Sequence, residues 1–365
     1  MKLPALIASV ACLFRKGAKD PSAGVARLCG RPSRSIEPRA QAARPGVRDR
    51  EVLRAGGPPA LLHEALRFRR AVAVFGLLLA GGLVFAQRGG GGRGGGGGFM
   101  GGGEIHVPED IHTAREVGTR STGTPVWTNP PAFGQDVFTF ARIRYDKNPN
   151  GHQFRGGGGW TTDLPDADLN LPYRVQQMTS IRTDADGRLL HLTDPELVRY
   201  PFLFLSAAGN LYLTQPETEA LRKHLLNGGF LLMDDFWGDS EWANAENVFK
   251  EVFPDRSFIE LPLDHPLYHG VFEIKAKHQN ANSMLGVRSE QTGVTWEDNH
   301  DGDVRTVHHR AIIDDKGRLM VLALHNTDTA DGWEREGEND YYFHNFSEKI
   351  AFPLGINIIY SVMTH

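Results

Sequence analysis

Two adjacent carboxylates, Asp234 and Asp235, end an apolar run that starts at Phe230 and stand just ahead of Phe236-Trp237-Gly238. Neighbouring acids raise one another's pKa, so the pair suits a nucleophile or general base (Asp235) beside an orienting or metal-binding group (Asp234). A second acid or base for such chemistry would be Glu241, a few residues on, or His265 in Asp264-His265-Pro266, where a proline-stiffened turn and a neighbouring aspartate could fix the imidazole tautomer. Each has a plainer reading. An aspartate at a strand end commonly caps the next helix or satisfies loop amides, and a turn histidine commonly bonds local backbone.

Metal chemistry has less to stand on. His300, His308 and His309 belong to no HExxH, CxxC or HxH spacing, which gives zinc little support and leaves the metal undetermined. His325, Asn326, Asp328 and Asp331 run into Glu334, Glu336, Glu338 and Asp340, but their order does not match the twelve-residue calcium loop, so this stretch is expected to be a solvated acidic loop. Trp333, Tyr341, Tyr342 and Phe343 nearby would stack on sugar rings or, as aromatic residues more often do, pack beneath the loop. Gly156 to Gly159 lacks the strand-turn-helix setting and the Lys and Ser/Thr of a phosphate cradle; no cofactor is expected.

The elements that must position these groups are read from apolar spacing. Phe202 to Leu205 and Phe230 to Met233 are short runs of the kind buried on both faces of a parallel sheet. Between them Thr214 and Glu217 form a capping box, Leu221, Leu225 and Leu226 share one face, and Gly228-Gly229 supplies the stop. Strand, capped helix and strand make a right-handed crossover, and ligands of such sheets sit beyond the carboxyl ends of the strands, where Asp234 and Asp235 fall. Further strands are expected at Val137 to Tyr145, Leu189 to Leu192, Phe258 to Leu261, Arg305 to Ile313 and Arg318 to Leu324. The last two are joined by the turn Asp314-Asp315-Lys316-Gly317 and suit an antiparallel edge. Helices are expected from Leu171 to Ile181, after a cap at Ser240, and from Ser347 to Met363.

Composition divides the 365 residues before any fold is considered. Residues 1–66, rich in Arg, Pro, Ala and Gly, show no sustained period and are expected to be a disordered extension, of the kind a misassigned start would add. Residues 67–86 carry Arg67, Arg69 and Arg70, an apolar run from Ala71 to Phe85, and Val84-Phe85-Ala86 ahead of Gln87, the order of a signal peptide and its cleavage site. The run is short for a bilayer span, so the only membrane association expected is through this segment if it stays uncleaved. The domain is expected to be exported, periplasmic or secreted. Residues 87–103 are a glycine-rich linker, 104–135 an extended arm with Pro108, Pro125, Pro130 and Pro131, and 136–365 the α/β domain. From Gln87 onward 25 Lys+Arg face 39 Asp+Glu, a net charge near −14, which offers no footprint for a phosphate backbone and sets nucleic acid aside as a partner. Cys12 and Cys29 both precede residue 67, so the domain holds no thiol for a disulfide or a nucleophile.

From about Asp136 onward the order of segments carries a resemblance. They are Phe138-Thr139-Phe140-Ala141-Arg142-Ile143-Arg144-Tyr145, Tyr200-Pro201-Phe202, Gly228-Gly229-Phe230-Leu231-Leu232-Met233-Asp234-Asp235, Asp264-His265-Pro266-Leu267 and Pro353-Leu354-Gly355-Ile356-Asn357. On these the chain resembles the bacterial family called domain of unknown function 4159, related to the class I glutamine amidotransferase-like and trehalose-utilisation-type folds. The resemblance implies a flavodoxin-like or amidotransferase-like three-layer sandwich, with a mostly parallel sheet and an antiparallel edge. It also implies that Asp234-Asp235-Phe236-Trp237-Gly238 replaces the elbow that bears the catalytic cysteine in the amidotransferase relatives, whose thioester chemistry a thiol-free domain cannot perform. Two function classes stay open. The first is an exported module that binds a small molecule, saccharide or envelope protein without turnover, in a crevice formed by Asp234, Asp235, Phe236, Trp237, His265, His325 and Asn326. The alternative is a cysteine-free hydrolase of envelope carbohydrate that uses Asp235 with Glu241 or His265. A purely structural domain is the third reading.

Overall fold

The short apolar runs assemble into one sheet in a computed structural model that describes residues 105–121, 123–133, 136–147 and 159–364. The expected disordered extension (1–66), signal segment (67–86) and glycine-rich linker (87–103) lie outside the described residues. The seven-stranded sheet runs β3 (Arg188–His191), β1 (Ala141–Arg144), β4 (Phe202–Ser206), β6 (Phe230–Asp234), β9 (Leu319–His325), β8 (His308–Ile313) and β7 (Ile259–Glu260). The first five are parallel; β8 and β7 complete the sheet as an antiparallel edge, as the Asp314 to Gly317 turn predicts. A separate antiparallel pair joins β2 (Asp146–Lys147) to β5 (Leu211–Tyr212).

Alternation along the strands sorts the core into two layers. Phe202, Phe204, Phe230 and Leu232 face helix α1 (Asp166–Met178), while Leu203, Leu205, Leu231 and Met233 face α2 (Gln215–Leu226) and α3 (Gly238–Val252). Two further helices are α4 (Ser283–Thr292) and the short α5 (Thr329–Glu334). The chain closes through a π-helical stretch, Phe343–Ala351, into α6 (Phe352–Thr364), which packs beside α1. Burying each Phe or Leu of these layers contributes about 1.5–3 kcal/mol, so apolar contact holds the sheet from both sides. Among the described residues no helix is long and apolar enough to cross a membrane.

The strand, helix and strand from Phe202 to Asp234 match the sequence reading, capping box included: the Thr214 amide and hydroxyl both donate to Glu217 Oε2, at 2.8 and 2.6 Å. Boundaries move elsewhere for identifiable reasons. Helix α1 starts five residues before Leu171, because Asp166 and Asp168 favour a helix amino end and both are held by partners, Asp166 by the Arg120 amide (2.8 Å) and Asp168 by Arg142. Ser240 does not cap α3; the cap position falls on Trp237, and the Ser240 hydroxyl donates instead to Asp301 Oδ2 at 2.6 Å. Residues 105–121 lie along the open edge of β3, where the Leu189 amide donates to the His112 carbonyl (2.9 Å) and Val107 and Ala114 pack on Leu189. The edge strand is thereby covered.

Candidate functional site

At the carboxyl ends of the three central strands the backbone turns through the left-handed region: Ala207 after β4 (φ 53°), Asp235 after β6 (φ 56°) and Asn326 after β9 (φ 61°). None is glycine, and such a conformation costs an L-residue about 1–2 kcal/mol. The β6 elbow is tied down on every side. Asn326 Oδ1 accepts from the Gly238 amide (2.9 Å), and its Nδ2 donates to the carbonyls of Asp303 and Thr306, both at 2.8 Å. His325 Nε2 donates to the Gly238 carbonyl (2.9 Å), and its Nδ1 accepts from Arg310 (3.1 Å). Gly238 itself has φ 73°, and a Cβ there would lie 2.2 Å from the Asp301 carbonyl oxygen, so only glycine fits.

Asp235 is the partly exposed member of this elbow, and the indole of buried Trp237 donates to its Oδ1 at 3.3 Å. Burial, then Glu297, Asp234 and Glu241, hold its carboxyl well above the usual range. Asp234 is wholly buried; its Oδ2 accepts from the Ala330 amide at the start of α5 (2.7 Å) and its Oδ1 makes no hydrogen bond. Burial pushes Asp234 up to about 7 against those backbone bonds.

Four more buried acids gather beside this pair: Asp163 from the turn before α1, Asp328 at the cap of α5, and Asp331 and Glu334 within α5. Oxygens of Asp163, Asp235 and Asp328 lie within 4.8 Å of one another, as do those of Asp163, Asp331 and Glu334. The second trio has a counter-ion: Arg335 Nε sits 2.8 Å from Glu334 and 3.3 Å from Asp331. The first has none among the described residues. Arg142, whose charge is felt at Asp163, is committed to Asp168 (2.9 and 3.1 Å) and to the carbonyls of Trp160 and Thr162. Burial and mutual repulsion hold Asp163 and Asp328 well above the usual carboxylate range, and burial with Asp163 and Asp331 takes Glu334 up to about 10.

On the other flank of Asp235, His300 is clamped between two acids, Nδ1 3.4 Å from Glu241 and Nε2 3.2 Å from Glu297. Burial disfavours its charge, but the bonds to Glu241 and Glu297 outweigh that and keep it an imidazolium up to about 10. Glu241 also accepts the Trp237 amide (2.8 Å), and it packs so closely over Gly209 that a Cβ there would meet it at 2.4 Å.

Of the residues read from sequence as a crevice, Asp234, Asp235, Phe236, Trp237, His325 and Asn326 do converge on one edge, with Glu241 beside them. Their roles differ from the expectation. Phe236 is fully buried and packs on Trp242 and His325; Trp237, His325 and Asn326 spend their polar atoms on holding the elbow. His265 is not there at all. It lines a cavity of about 160 Å³ with Gly228, Phe230, Arg318 and Leu319, at the amino ends of β6 and β9, and its Nδ1 accepts the Leu267 amide (3.2 Å). The chain after β7 turns back across the sheet so that Leu267 and Tyr268 can enter the core, which carries His265 to the far edge. The acidic stretch expected to be solvated is likewise corrected: Asp328, Asp331 and Glu334 are 5%, 4% and 2% exposed. Sequence reasoning missed Asp163 entirely; its one local signal was an acid just ahead of Leu164-Pro165 and a helix with two more acids in its first turn.

Comparison with known proteins agrees with the family resemblance. The family model described as Domain of unknown function (DUF4159) matches residues 139–363, and the chain belongs to that family. No curated protein matches the chain.

Proposed function

We propose that the domain is a non-catalytic binding module whose ligand enters the crevice at the carboxyl edge of the sheet and is held by Asp235. The observation that carries this reading is Asp235 itself: a partly exposed, non-glycine residue in the left-handed region, braced by Trp237 and set beside the buried Asp163 and Asp328. Such a lining accepts hydrogen bonds and donates few, so it suits a ligand rich in hydroxyl donors, and a saccharide meets that requirement. Turnover has less support. Glu241 is occupied by the Trp237 amide and by His300, His265 stands at the opposite edge, and residues 139–363 contain no cysteine. A hydrolase acting through Asp235 with either partner would lack its second group.

In this reading the scaffold is the flavodoxin-like, amidotransferase-like one, with Asp235 in the place of the cysteine elbow; the left-handed φ directly after a central parallel strand supports that equivalence. Export through the apolar segment 71–85, with periplasmic or secreted placement and an envelope saccharide or protein as partner, belongs to the same proposal and is supported by the Arg67, Arg69 and Arg70 flank. The test is a thermal-shift screen of the purified chain against mono- and oligosaccharides. A ligand that binds the native state raises the melting temperature, and Asp235→Asn should abolish the rise. A flat screen, or a shift that survives Asp235→Asn, would overturn the assignment.

A further inference from the structure

We infer that Asp163, Asp235 and Asp328 form a binding site for a hard divalent cation. The inference deepens the crevice reading and rests on it, since the ion would sit where the ligand enters. Two independent observations meet here. One is the cluster: one oxygen from each of the three acids lies within 4.8 Å of the others, close enough for all three to reach a single ion. The other is that Asp163, 6% exposed, leaves its Oδ2 without any hydrogen bond. Buried carboxylate oxygens are normally bonded, so an unbonded one inside a carboxylate trio calls for a cation.

The surroundings favour this trio over the neighbouring one. Asp331 and Glu334 already hold Arg335, and Asp331 also accepts the Ser283 amide, so their oxygens are committed. Asp328 has one oxygen occupied by the Asp331 amide (3.0 Å) and Asp235 one by the Trp237 indole (3.3 Å), which fixes both side chains while leaving each a second oxygen. The site has no histidine or thiol, and an all-carboxylate set suits calcium, magnesium or manganese rather than zinc. Calcium takes six to eight oxygens, so three carboxylates leave positions for water or for the hydroxyls of a saccharide. The burial and repulsion that raise these carboxyls are what a bound ion would relieve.

The experiment uses the full chain, freed of metal with a chelator and titrated with calcium chloride by calorimetry. Terbium luminescence sensitised by Trp237 provides a second readout. Calcium should bind at one site and raise the melting temperature. Asp163→Asn and Asp328→Asn should each weaken calcium by at least tenfold while raising the melting temperature of the metal-free protein, because each removes a buried repelling charge. Those opposite signs separate a lost ligand from a damaged fold. Should either variant not fold, Asp235→Asn at the partly exposed position must show the same loss. Absence of calcium, magnesium and manganese binding, or binding unchanged in these variants, would overturn the inference. A saccharide shift that persists in chelator without calcium binding refutes the cation and leaves the crevice standing; calcium binding that the variants abolish, with no saccharide response, upholds the cation and refutes the saccharide.

Discussion

Replacing Asn326 tests how the elbow is held. Its side chain makes three hydrogen bonds, a buried one to the Gly238 amide and partly buried ones to the Asp303 and Thr306 carbonyls, and its backbone sits at φ 61°. At about 1 kcal/mol net for each bond, Asn326→Ala forfeits about 3 kcal/mol. Alanine also tolerates the left-handed region less well than asparagine, adding about 1 kcal/mol. The expected loss is therefore about 4 kcal/mol, a large share of the stability of a single domain. Asn326→Gly loses the same bonds without the left-handed penalty, and once its greater chain entropy is counted it should be about 0.5 kcal/mol less damaging. Urea unfolding followed by tryptophan fluorescence measures both, with an unchanged slope certifying that the unfolded state is the same. A glycine variant as unstable as the alanine one would refute the backbone argument. A loss below about 1 kcal/mol in both would show that these bonds do not hold the elbow.

Three further outcomes follow from the same geometry. His325 is neutral, donating from Nε2 to Gly238 and facing Arg310 with Nδ1, and burial first, then Arg310 and His308, lowers it to about 3. Its folded value lies below the ordinary value of about 6.5, so its contribution is present above that pH and declines as pH falls, by about 2 kcal/mol between pH 6.5 and 5; unfolding of the wild type and His325→Gln at both pH values should differ by that amount, and equal slopes would refute it. His300 is shifted the other way, so its contribution is present below about 6.5 and lost as pH rises through about 10; Glu241→Gln should move the imidazole titration seen by NMR to lower pH, and an unmoved titration would remove Glu241 as its partner. Arg142→Lys keeps the charge but cannot hold Asp168 in two places and two carbonyls at once, so a loss of about 3–5 kcal/mol is expected in a denaturant melt, with near-wild-type stability the refuting result.

Much of the scaffold was legible because its cues are local. The paired strands around α2 announce themselves as two short apolar runs with a Thr214–Glu217 box between them, and the antiparallel edge as a turn between two runs. Asp235 was legible for the same reason, as an acid at a strand end. The acid nest was not, because Asp163, Asp235 and Asp328 come from three segments far apart in the chain and only the folded sheet brings them together. The general rule that acids lie in water also misled, since a run of Asp and Glu reads as solvated unless a counter-charge is visible, and here Arg335 answers only part of it. His265 failed through distance of another kind: it follows Asp235 by thirty residues, and no local signal tells that the chain recrosses the sheet before it.

The two ends of the sheet solve the same backbone problem with different residues. At the amino edge the positive dihedrals fall on Gly228 (φ 108°) and Gly317 (φ 84°), where glycine makes the turn without steric cost. At the carboxyl edge the residues that directly follow three adjacent strands, Ala207, Asp235 and Asn326, take positive dihedrals without being glycine, with Gly238 (φ 73°) following three residues after Asp235. Two of these three could not be glycine and keep the site. Asn326 needs its amide to bind the Gly238 turn, and Asp235 needs its carboxylate to accept the Trp237 indole. Side chains are retained there at a cost in backbone energy, against a buried charge that costs more. Backbone strain and burial alone would favour glycine at Asp235, so Asp235→Gly should forfeit the Trp237 bond yet relieve both penalties, which is the balance the proposed binding role requires.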